Sequence, residues 1–254
     1  MSPYEEQSEL TRWLTVAAGV VVLLKLLGVL LGMGAIGEIQ AQLAPLADGS
    51  LKFPDFLLKV EHATSLYSKV GSLSFLAFVV SAILFLIWQY RAMRNDAALE
   101  GSVQTDQIKA VAVWFVPFAN LLLPFKVVQE IWESSRKLAH IRRPSNLLTA
   151  WWAASVIGFL VSWFAANRMN ALMSAEAAGT PAEFAESVGR MLSYGRWEAF
   201  GGIAVAASAG LLVQIVRKIN EMQETACQEY DETDGDGYDY DGIHFADTGE
   251  DDDD

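Results

Sequence analysis

The chain has 254 residues, enough for one large or two small domains, with 52% hydrophobic residues and a formal net charge of −13. The charge belongs to an appendage: residues 221–254 hold fifteen of the 31 acidic residues and no Lys or Arg, which leaves residues 1–220 near +2 and more apolar than a soluble domain usually is. A single cysteine, Cys227, excludes an intrachain disulfide, and three scattered histidines (His62, His140, His244) offer no metal-ligand spacing.

Four segments have the length and apolarity to cross a hydrocarbon core of about 30 Å, which takes roughly 20 helical residues. The first covers residues 13–34. It is too long for a signal-peptide core, and Glu5, Glu6 and Glu9 stand where a basic region would be, so it reads as an uncleaved span. Lys25 is the sole charged residue inside any of the four. A lysine at mid-span costs about 2.5–3.5 kcal/mol on insertion scales, so it should face protein or water. Two environments suit it: the open carbonyls or the Asn120 side chain of the interrupted segment described below, where it would lock that segment or bind an anion, or a wet groove with no ligand. Gly28 and Gly32, four residues apart, allow close helix approach, either within the chain or in a homo-oligomer.

Next comes FPDFLLKVEHATSLYSKV (residues 53–70), read as a short amphipathic helix on the outer surface, and then the second span, residues 71–90. Trp13, Trp88, Tyr90, Trp151 and Trp152 stand near span ends, where amphipathic rings favour the headgroup layer. Arg91, Arg94 and Asn95 follow at i, i+3 and i+4, on one helix face. Glu130 is the expected partner of Arg94, in a structural clamp.

The central stretch KAVAVWFVPFANLLLPFKVVQEIW (residues 109–132) resembles an interrupted span. Sixteen residues between Lys109 and Lys126 lack charge, yet they include Pro117, Asn120 and Pro124. Two prolines break a helix twice, and broken backbone at membrane depth survives only where protein or water satisfies it. A crossing would put Arg91, Arg94 and Lys109 opposite Arg136, Lys137, Arg142 and Arg143, against the positive-inside tendency. A segment covering residues 110–125 that enters and returns keeps both clusters on the inner side, with both termini inside. The alternative is a proline-kinked span. Beyond Pro124, the residues Phe125, Val128, Ile131, Trp132, Ser135 and Leu138 share one face. They form an amphipathic helix over residues 125–140, on an inner leaflet rich in anionic lipid or against the bundle.

Three strings, WQYRAMRN (88–95), VWFVPFANLLLPFKVVQEIWESS (113–135) and LLTAWWA (147–153), resemble the bacterial membrane proteins grouped as domain of unknown function 4328. The likeness extends from about Val70 to Ala166. It implies a multi-span protein of the bacterial cytoplasmic membrane and supplies no reaction, ligand or catalytic residue.

The remaining spans are residues 147–166 and 200–216, the latter carrying Gly202, Ala206 and Gly210 at four-residue steps. Before it, TPAEFAESVGRMLSYGRW (180–197) matches the first loop in layout and opens with a capping hydroxyl, a first-turn proline and a returning glutamate. Two similar hairpins therefore flank the central segment, as in parallel repeats. Residues 221–254 read as a disordered acidic tail. Within it Glu232, Asp234, Asp236 and Gly237 imitate the start of a calcium loop, but Ile243 occupies the twelfth position.

The sequence thus predicts an all-α polytopic membrane bundle: a membrane domain over residues 1–220, with four transmembrane helices and a proline-interrupted central segment, and the tail beyond it. No nucleophile–base pair, phosphate-binding glycine loop or metal cluster points to an enzyme, a cofactor or nucleic-acid binding. The leading expectation is a non-enzymatic membrane scaffold or regulator whose tail recruits protein partners. The alternative is a small transporter, channel or lipid- or anion-binding protein using the Pro117–Pro124 segment.

Overall fold

The computed structural model describes residues 4–141, 146–175 and 180–235, and among these every regular element is helical. In chain order they are α1 (Ser8–Ala41), α2 (Leu43–Ala47), α3 (Phe53–Ala98), α4 (Gln107–Ala112), a 3₁₀ turn (Ala119–Leu121), α5 (Leu123–Leu138), α6 (Leu147–Ala175) and α7 (Pro181–Gly235). The four expected spans lie within α1, α3, α6 and α7, all of them long and apolar enough to cross a membrane.

The starts of these helices follow local chemistry. Pro54 sits in the first turn of α3, where its missing N–H costs nothing. At the start of α7 the backbone N–H of Thr180 donates to Glu183 Oε2 at 2.7 Å while Glu183 N–H donates to Thr180 Oγ1 at 3.3 Å, a reciprocal capping box. Asp106 caps α4 by accepting from the backbone of Ile108 and Lys109, both at 3.1 Å.

Neither loop helix is a separate surface element. Residues 53–70 are the first half of α3, and 181–197 continue without a break into α7. At 46 residues α3 is about 70 Å long, more than twice the hydrocarbon thickness. At its outer end Phe56 anchors this helix in a small core of its own, packing with Ile39, Leu46 and Ala185, and Phe184 lies edge-on to Phe53 and Phe56.

The bundle consists of two antiparallel hairpins, α1–α3 and α6–α7, joined where α1 packs on α7. Glycines set the close approaches. A Cβ on Gly201 would stand 2.5 Å from Ser162 Oγ and 3.3 Å from the Gly158 carbonyl, so α6 and α7 cross there glycine to glycine. Gly28 and Gly32 face Val70 and Tyr67 of α3, and Gly202 faces Val29 of α1, so these small residues serve packing within the chain. Gly210, expected to join them, has open space beside it. Between the packed ends the helices turn apolar side chains outward: Leu23, Leu30 and Phe75 are 69%, 71% and 68% exposed. Such surface suits lipid and would be a liability in water.

A larger core closes the end that carries the N-terminus, built from Leu14, Trp88, Met93, Val128, Ile131, Ile215 and Ile219. Two expectations change here. Trp88 and Trp151 are buried in the protein, not set in a headgroup belt, because α5 and the end of α7 cover them. The acidic tail also begins later than its composition suggests: α7 runs through Glu221 to Gly235, with Met222, Gln223 and Ala226 buried. The stripe Ile215–Ile219–Met222–Ala226 keeps helical spacing, and its burial outweighs the surrounding charge. The side chains of the calcium-like motif and residues 236–254 lie outside the described residues.

Replacing Gly201 with Val should destabilise the protein by about 1–3 kcal/mol, the usual cost of overpacking, while Gly210→Val stays close to neutral. Unfolding in detergent micelles measures both.

Candidate functional site

The interrupted segment does not continue from one end of the bundle to the other. It folds back as a hairpin, and its two arms meet: Ser102 N–H donates to Ser134 Oγ at 2.7 Å, and Thr105 Oγ1 donates to Glu130 Oε2 at 2.7 Å. The tip consists of Phe115, Phe118 and Leu122, respectively 71%, 84% and 67% exposed. Phe118, at the turn itself, takes a positive φ of 63°, a left-handed conformation uncommon for a bulky residue. Pro117 is exposed in this turn, and Pro124 is buried in the first turn of α5, so one proline helps end the incoming arm and the other begins the outgoing helix.

Broken helix leaves carbonyls without partners, and α3 and α6 supply donors for two of them. Gln89 Nε2 donates to the Ala110 carbonyl at 2.9 Å, and Trp152 Nε1 donates to the Leu121 carbonyl at 3.2 Å. Gln89 Oε1 in turn accepts from Trp114 Nε1 at 3.0 Å. Neither Lys25 nor Asn120 takes part in these bonds. Asn120 is exposed, and Lys25 lies among α1, α3 and α7 in the groove that was the second environment foreseen for it.

Helix α7 is tied to the same knot. Trp88 Nε1 donates to Asn220 Oδ1 at 2.9 Å, and Asn220 Nδ2 donates to Thr11 Oγ1, so one amide joins α1, α3 and α7. Gln223 Nε2 donates to the Ala92 carbonyl at 2.9 Å and to Ser135 Oγ at 3.2 Å, which adds α5. These side chains are buried, where a polar group left unpaired would cost about 1–3 kcal/mol, so each bond selects this arrangement over its alternatives.

The basic face beside the knot has a different partner from the one expected. Arg94 pairs with Glu5 at 2.8 Å and Arg91 approaches the same carboxylate at 3.8 Å. Asn95, on the same face, clamps the Glu5 backbone in both directions: its Nδ2 donates to the carbonyl and its Oδ1 accepts from the N–H, each at 2.9 Å. Glu130 is committed to Thr105 instead. Arg91, Arg94 and Asn95 do form one clamp, and what they hold is the N-terminal segment. Glu5 was overlooked because an acidic residue before a span reads simply as solvated.

Asp96 is the least expected member. It is buried, 1% exposed, beneath residues 101–103; Oδ2 accepts from Val103 N–H at 3.0 Å, and a Cβ on Gly101 would collide with the carboxyl. Burial raises its pKa above the ordinary carboxylate value, and hydrogen bonds from Ser134 and Val103 offset that in part. Among the described residues no three His, Cys, Asp or Glu cluster as metal ligands do.

An all-helical chain with four membrane-crossing helices, locked at one end by a folded-back segment and a buried amide network, is a multi-pass membrane protein. The family described as Domain of unknown function (DUF4328) matches residues 58–221, and the chain belongs to it. That match runs from within α3 to Glu221 of α7, including the hairpin and Asn220 but not Gln223. No curated protein and no solved structure matches the chain.

Two outcomes test the knot. A carboxyl whose folded pKa is raised binds its proton more tightly when folded, so stability falls as pH rises through the window above the unfolded value. Asp96→Asn should therefore be more stable than wild type at neutral pH, with the gap closing as pH drops into the carboxylate range, read from thermal unfolding across pH. Asn95→Ala, which strips both bonds from Glu5, should cost about 1–3 kcal/mol, whereas Arg94→Gln, at a half-exposed ion pair, should cost less than about 1 kcal/mol by the same measurement.

Proposed function

We propose that this chain is a non-enzymatic scaffold or regulatory protein of the bacterial cytoplasmic membrane, with both termini in the cytoplasm. The observation that carries the reading is that the broken segment is held by the protein's own side chains, the buried Gln89 and the part-buried Trp152 and Glu130, while Asn120 stands outside at the surface. A transport route would need that polar, irregular backbone to line a wet passage between the spans. A packed clamp instead gives a rigid platform.

The joined arms of the hairpin put Arg91, Arg94 and Lys109 at the same end of the bundle as Arg136 and Lys137, and the positive-inside tendency makes that end cytoplasmic. On this reading the segment is re-entrant: Phe115, Phe118 and Leu122 dip into the inner leaflet, and the basic residues around them meet anionic headgroups. The acidic C-terminal stretch, beyond the point where α7 leaves the knot, is the element best suited to recruit basic protein partners.

Cysteine labelling with a membrane-impermeant maleimide tests this, with Cys227→Ser as the background. Gln104→Cys and Glu133→Cys, one on each arm, should both react from the cytoplasmic side, and Ser50→Cys, between α2 and α3, from the other. Labelling of positions 104 and 133 from opposite faces would contradict the arrangement.

A further inference from the structure

A groove of about 70 Å³ runs along α1 where α3 and α7 flank it, each packed on α1 and scarcely on one another, so it opens sideways between them. Gly28, Gly32 and Gly202 make its walls low. Two unmatched donors line it. Ser74 is 2% exposed and its Oγ has no hydrogen-bond partner, and Lys25, half-buried, makes neither a hydrogen bond nor an ion pair with any described residue. Tyr67 and Glu198 also line the groove.

The order of these groups along the membrane normal follows from helix contacts. Gly32 faces Tyr67, Gly195 faces Ile36 and Gly202 faces Val29, so Glu198 lies about two helical turns, roughly 10–12 Å, beyond Lys25 toward the α2 end. Lys25 is near mid-span, and Glu198 stands just ahead of the stretch 200–216, at headgroup depth. A lysine stem reaches toward the headgroups when its ammonium cannot stay in hydrocarbon.

We propose that this groove binds the headgroup of a phospholipid bearing a primary ammonium, in the leaflet away from the hairpin. In such a lipid the phosphate lies deeper than the ammonium, the same order as Lys25 and Glu198. The phosphate oxygens accept from Lys25 Nζ, carried outward on its stem, and from the Tyr67 hydroxyl, which supplies the unpaired lysine with an acceptor. The headgroup ammonium donates to the Glu198 carboxylate. A choline headgroup has no N–H to offer Glu198, and a glycerol headgroup carries no cation for it. The sideways opening lets the acyl chains leave into the bilayer. This inference does not depend on the scaffold reading, since it concerns a separate surface.

Native mass spectrometry of the full-length protein, with added phosphatidylethanolamine, phosphatidylcholine or phosphatidylglycerol, tests it. Wild type should retain phosphatidylethanolamine about tenfold better than the other two, the scale of one charge-assisted hydrogen bond. Lys25→Met should lose bound lipid of every headgroup. Glu198→Gln should bind phosphatidylethanolamine and phosphatidylcholine equally while its unfolding temperature stays unchanged, which keeps the test decisive if Lys25→Met fails to fold. Equal retention of all three lipids by wild type, or an undiminished preference in Glu198→Gln, overturns the proposal. Displacement of the lipid by millimolar glycerophosphoethanolamine would also overturn it, in favour of a soluble zwitterion.

Discussion

Peptide carbonyls freed by a broken helix have to be satisfied somewhere, and in an apolar assembly water is scarce. In this chain the Ala110 and Leu121 carbonyls are met by Gln89 of α3 and Trp152 of α6. Those two side chains let the segment between Lys109 and Lys126 turn round. Without them the hairpin would leave two peptide carbonyls unpaired in a poorly hydrated site, at about 1–3 kcal/mol each. The turn brings Ser102 to Ser134 and Thr105 to Glu130, and α5 can then lie over Trp88, Met93 and Ile219. The large core at that end therefore depends on a few polar bonds that fix where the apolar faces meet.

The same end shows how the chain divides its labour. Apolar contacts supply most of the attraction, while amides choose the register. Asn220 reaches both Trp88 and Thr11, and Gln223 reaches both Ala92 and Ser135, so sliding α7 by one turn would strand two buried amides. Away from the knot the register is set by steric means. Gly158 and Gly201 permit one close crossing of α6 and α7, and a hydroxyl pair, Ser155 with Ser208 at 2.6 Å, lies a turn or two further along. In a bilayer this is the expected balance, because lipid removes the hydrophobic drive between helices and leaves packing and hydrogen bonding to decide.

Legibility in the sequence varied with the range of the interaction. The Thr180–Glu183 box, the Asp106 cap and the face Val128–Ile131–Trp132–Ser135 rest on neighbours within one or two turns, and the pattern of residues discloses them. Arg91, Arg94 and Asn95 were placeable on one face, but their shared partner, Glu5, is ninety residues away in the chain and carries no local mark. Glu130 had the right charge for Arg94 and the wrong position. Gln89, Asn220 and Gln223 stand in otherwise apolar stripes, and such a polar residue shows that something must meet it without showing what.

By itself the sequence determined the number of helices able to cross a membrane, the capped start of α7, and that two prolines interrupt the helix at the centre, because apolarity, capping and ring geometry act locally. Only the tertiary structure decided that the broken segment returns on itself, that α7 continues as a packed helix to Gly235, and that Lys25 faces a groove shared with Glu198. Those outcomes rest on pairings between helices distant in the chain, and which buried donor finds which acceptor is settled only when the helices are packed side by side.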